Sequence, residues 1–196
     1  MNRTFPIEFL LGIEIAKILQ DLPSSVGSGT KYLKTVTQGF TSPAERPLAS
    51  FPLACVGAPN GGTFNSDDKN RITESITSNL QVFVYLYEPN PALATLKIER
   101  FVQVFLDKIT DRTHNWEGNI PDISTVSTWR DGIPPDATPA VRWYGDDYGG
   151  IEIAPASWGY GDVFKTLGID GKDFELLPPK YGIHFNLTAT IGSAFM

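Results

Sequence analysis

The sequence is poor in the residues that most often announce chemistry. It has one cysteine, Cys55, so no disulfide can form within the chain. Cys55 sits in the apolar run Phe51 to Val56, which marks it as a small buried hydrophobe rather than a nucleophile. There are two histidines, His114 and His184, and neither belongs to a His-Glu-x-x-His pair. No Gly-x-Ser-x-Gly elbow is present. Charged residues make up 19 % of the chain, and acids outnumber bases to give a net charge of −6. Direct nucleic-acid binding is therefore not expected, because phosphate neutralisation needs a basic surface. No apolar run is long enough to span a bilayer. The first apolar stretch is broken by Glu8, Glu14 and Lys17, so it does not read as a signal peptide.

What is present is ordinary apolar content, 41 %, with 15 prolines and 18 glycines. Over 196 residues this predicts one α+β domain with a good core and long ordered loops. The stretch from Ser75 to Ile109 is the most informative. Gln81, Phe83, Tyr85 and Tyr87 alternate with Val82, Val84, Leu86 and Glu88, the period of a strand with both faces covered. Glu88-Pro89-Asn90-Pro91 ends it. Asn90 is placed to cap a helix, and Pro91 suits its first position. In that helix Ala94, Ile98, Phe101, Val102, Phe105 and Ile109 form a core stripe. Leu93, Leu96 and Val104 form a second stripe beside Arg100, a candidate contact with a neighbouring subunit.

Pro6 to Gln20 predicts an amphipathic helix stopped by Asp21-Leu22-Pro23, and Tyr32 to Val36 a short strand. Gln38 to Pro52 reads as a proline-punctuated loop and Leu53 to Val56 as a buried strand. Gly57 to Thr63 is turn-rich but lacks the spacing of a phosphate loop, and Asn65 to Asn70 reads as a solvated loop. Asp111 to Asp122 reads as polar loop, Ile123 to Trp129 as a strand, and Asp131 to Pro139 as irregular. A hairpin is expected around Tyr144 to Gly150, joining Val141 and Trp143 to Ile151 through Ala154. Ala156 to Pro179 reads as a long excursion anchored by Trp158, Tyr160 and Phe164. Tyr181 to Ile191 alternates cleanly and closes the domain, with His184 on its wet face.

The acidic aromatic segment has three readings. Asp146, Asp147 and Glu152 near Trp143, Tyr148 and Trp158 could make a two-carboxylate sugar site. The favoured reading is solvated acids and aromatic anchors at a glycine-rich hairpin tip. Exposed Trp158 and Tyr160 on an extended loop also suit a subunit contact.

The order of elements resembles the tail terminator (tail completion) proteins of long-tailed bacteriophages. An amphipathic helix like Pro6 to Gln20 comes first, then a short strand like Phe51 to Val56. A long strand like Ile76 to Tyr87 runs straight into a helix like Pro91 to Ile109, and an alternating strand like Ile183 to Ile191 ends the chain. The resemblance implies an antiparallel or mixed sheet with the two main helices on one face, and an extended loop and hairpin insertion at about residues 113–179 of a single domain. It implies a structural virion protein with no catalysis and no cofactor. Its partners would be copies of itself in a hexameric ring, the tail tube protein, a sheath protein, and the neck or stopper protein. DNA would only pass through the acidic lumen, and no membrane would be involved. Assembly would take place in the host cytoplasm. Another neck or baseplate structural protein is the alternative within the same class.

Overall fold

The computed structural model describes residues 7–23, 31–39, 46–57, 62–66, 74–110, 117–121, 123–133, 137–142, 151–160 and 180–192. In chain order these form α1 (Ile7–Asp21), β1 (Thr35–Gln38), β2 (Leu53–Gly57), β3 (Gly62–Ser66), β4 (Glu74–Tyr87), α2 (Pro91–Ile109), β5 (Glu117–Pro121), β6 (Ala137–Arg142), β7 (Ile151–Tyr160) and β8 (Lys180–Gly192). Short 3₁₀ turns stand at Leu48–Ser50 and Ile123–Thr128. The class is α+β.

A six-stranded mixed sheet runs in the order β1-β2-β4-β8-β7. Only β1 and β2 are parallel; the other pairs are antiparallel. β3 pairs with the first half of β4, on the residues that β2 leaves free. β4 is therefore central and engages β8 along its whole length, from Ser75 opposite Gly192 to Tyr87 opposite Lys180. Its alternation sends Leu80, Val82, Val84 and Leu86 into one apolar cluster and Phe83 and Tyr85 into another on the opposite face.

Both helices sit over the first face. α1 contributes Leu11, Ile15, Ile18 and Leu19, and α2 contributes the six residues of its predicted core stripe. Phe101, Phe105 and Phe185 form the aromatic centre, with Phe105 edge-on to Phe185 at 4.9 Å. The second cluster, Phe51, Leu53, Cys55, Phe83 and Tyr85, is buried as well. Cys55 is 1 % exposed, as its apolar run implied.

Several local expectations change. Ile123–Thr128 is 3₁₀ helix, not strand. Thr125 and Ser127 flank Val126, and a run with four hydroxyl residues gives a strand few apolar contacts to bury. Asp111 to Asp122 contains β5, which pairs with β6 in a separate two-stranded sheet. β6 thus pairs with β5 rather than forming a hairpin with β7, and β7 joins the main sheet beside β8. β7 also runs on to Tyr160, so Trp158 and Tyr160 lie on a strand rather than in a loop. β3 occupies part of the segment read as turn and solvated loop. The irregular stretch after Trp129 opens with a tight turn in which Arg130 bridges Ile133. Asp131 and Gly132 at its centre have φ of 52° and 77°, the pair of left-handed residues that a two-residue reversal requires.

Candidate functional site

The site starts at the joint between β4 and α2. The Asn90 side chain accepts from the backbone N–H of Ala92 and Leu93, at 3.0 and 3.3 Å, and caps the helix. The Glu88 carboxylate accepts from the Asn90 N–H at 3.1 Å and pairs with the Lys97 ammonium in the second turn of the helix. The Lys97 hydrogen bond, helped by that N–H, holds the Glu88 carboxyl below its ordinary value. The Tyr32 hydroxyl donates to the Lys97 carbonyl, and burial pushes its pKa up to about 12. These bonds fix the rotation of α2 and so decide which residues face outward.

The second stripe of α2 divides. Leu93 and Leu96 are 45 % and 62 % exposed. Arg100 and Val104, one and two turns further on, line a groove between α2 and α1. Ile18, Leu22 and Pro23 face them there, with Glu14, Lys17 and Asp21 at the rim. Val104 packs against the core cluster, and Arg100 donates to Gln103 at 3.3 Å. Val104 therefore serves contact within the subunit, and the apolar part of the stripe that stays exposed is the pair Leu93 and Leu96, with Arg100 exposed beside them.

The other exposed pair is on β7, where Trp158 and Tyr160 are 50 % and 60 % exposed. Register sets them opposite Phe185 and Ile183 of β8, and Ile183 in turn is opposite Val84 of β4. α2 begins four residues after Tyr87, where β4 ends. Both exposed pairs thus lie toward the same end of the sheet. Aromatic side chains projecting from an edge strand bring large contact area at low entropic cost, which is what protein contacts use. β7 is tied to its neighbours on the other face by a polar ladder. Gln81 donates to Asn186 at 3.0 Å, and Asn186 donates to Ser157 at 2.8 Å.

The carboxylates of the sugar-site reading are not brought together by anything described. Asp146 and Asp147 lie outside the described residues, as does His114. Glu152 belongs to β7, opposite Thr190. Among the described residues no three His, Cys, Asp or Glu side chains group to hold a metal ion, and no helix is long and apolar enough to cross a membrane. His184, expected on a wet face, is half-buried, and burial lowers its pKa. Sequence periodicity missed this because Gly159, which makes room for the ring, comes from another strand. It also missed the α1–α2 groove, whose only sequence trace is the charged edge Glu14, Lys17 and Asp21 on a mostly apolar helix.

No protein-family model and no curated protein sequence matches the chain.

Proposed function

We infer that this chain is a structural virion protein of the tail terminator type, which closes into a hexameric ring on the end of a phage tail tube and meets the neck. The observation that carries this reading is the order of elements: an amphipathic first helix, a central strand running directly into a second helix on the same face, and a long alternating last strand. Two exposed apolar pairs on different elements support it. A ring needs a heterologous contact, in which one patch of a subunit meets a different patch of the next. Leu93 with Leu96, and Trp158 with Tyr160, offer two such patches. The net charge of −6 suits a lumen through which DNA slides without adhering.

Light scattering with negative-stain imaging of the purified chain tests the assembly. The expected particle is a closed ring of about six 21.5 kDa subunits. Replacing Trp158 and Tyr160 by Ser is expected to shift that ring to monomers while the fold persists. A two-fold dimer, or a ring unaffected by this change and by Leu93→Ser with Leu96→Ser, would remove these patches from the account.

A further inference from the structure

The sheet face away from the helices carries one row of residues across five strands. Register places Thr37, Cys55, Phe83, His184 and Gly159 side by side on β1, β2, β4, β8 and β7. At the edge of the row the imidazole of His184 lies directly over the backbone of Gly159. A Cβ at position 159 would stand 2.6 Å from Cε1 and 2.9 Å from Nε2 of the ring, closer than side chains tolerate. On the other side of His184 is Phe83, which is 1 % exposed. The ring nitrogen Nδ1 is buried with no hydrogen-bond partner.

A buried lone pair without a donor is a modest cost, whereas a buried N–H⁺ without an acceptor is a large one. Among the described residues no charge at hand compensates it. β4 presents Phe83 with Gln81 and Tyr85 beside it, β7 presents Gly159 and Ser157, and β8 itself presents Gly182 and Asn186. The only titratable side chain among these is the Tyr85 phenol. The charged positions next along the strands are Lys180, four residues away on β8, and Glu152, which is opposite Thr190, six residues away on β8.

We propose that His184 is a pH-sensitive latch: its neutral ring holds the Ser157–Tyr160 end of β7 against β8, and its protonation in mildly acidic solution loosens that end of the edge strand. The segment is suited to move by itself. A register shift between Pro155 and Ser157 separates it from the rest of β7, and β8 is its one strand neighbour among the described residues. Burial already pulls the imidazole below its ordinary 6.5, so the neutral form is the folded one at neutral pH. This inference does not depend on the ring.

The test joins two measurements on the full chain: an NMR titration of the imidazoles, with His184 assigned by its loss in His184→Gln, and amide hydrogen exchange. The expected midpoint for His184 lies below 6.5. Below that midpoint, protection of the amides of 157–160, corrected for intrinsic rate, is expected to fall about tenfold for each unit of depression, while the amides of β4 keep theirs. Gly159→Ala displaces the ring and is expected to return the midpoint toward 6.5. A His184 midpoint at or above 6.5 in the unaltered chain would overturn the latch. So would an equal loss of protection in His184→Gln, or one spread evenly over the sheet.

Discussion

At Asn90 the chain stops being a strand and becomes a helix, and one side chain satisfies two of the helix's free N–H groups. Asn90→Ala removes both bonds and is expected to cost about 1 kcal/mol, read as a lower urea midpoint at unchanged slope. Glu88 works beside it and makes the joint sensitive to acid. Its folded carboxyl lies below its ordinary value of 4.5, so the unfolded chain takes up a proton first as pH falls. The stability it contributes is complete above 4.5 and is lost as pH drops through the folded value. Glu88→Gln is expected to flatten the stability profile in that acidic window alone. His184 acts in a higher window, from 6.5 down to its own folded value, again with stability rising as pH rises. Denaturation curves taken across both windows separate the two groups. The capping role of Asn90 was legible because an Asn-Pro pair after a strand pattern has few other uses. The His184 contact was not, because it joins residues 25 positions apart on neighbouring strands.

The helix α2 shows where periodicity succeeds and where it stops. All six residues of its predicted core stripe are buried, since a spacing of threes and fours leaves a helix one face to bury. Phe105, with 0 % exposure, stacks on Phe101 and meets Phe185 edge-on. Phe105→Ala is expected to cost about 3–5 kcal/mol in urea unfolding. Leu96→Ala, at 62 % exposure, is expected to stay within about 0.5 kcal/mol of zero. The second stripe looked uniform in the sequence because Leu93, Leu96, Arg100 and Val104 share one side of the helix. It is divided at the groove beside α1: Val104 is half-buried there and Arg100 lines it while staying exposed, and Leu93 and Leu96 lie beyond it in the open. Arg100→Glu with Val104→Asp would therefore strain the packing of the two helices as well as any subunit contact. The strands that were missed, or read only in part, have physical reasons too. β3 borrows its regularity from β4, and β6 carries Pro139 opposite a register shift in β5. β7 contains Pro155 and Gly159, which weaken a strand pattern but are tolerated on an edge strand at a bulge.

On the scale of the whole molecule, β4 and α2 organise the rest: the central strand borders β2, β3 and β8, and the helix after it closes the core from one side. The class α+β, the two helices and the two long strands β4 and β8 were legible because each has a strong period. The pairing of β5 with β6, and of β7 with β8, was not, because strand partners are chosen by tertiary packing rather than by local pattern. The proposed ring belongs to this scale, since it needs two different patches of one subunit to meet on the next. The most direct measurement is negative-stain imaging of the purified chain mixed with isolated tail tubes. The account predicts a ring-shaped cap on tube ends and none along their sides, and Trp158→Ser with Tyr160→Ser is expected to leave most ends bare. Tube ends that stay bare with the unaltered chain, at concentrations where it is folded, would contradict it.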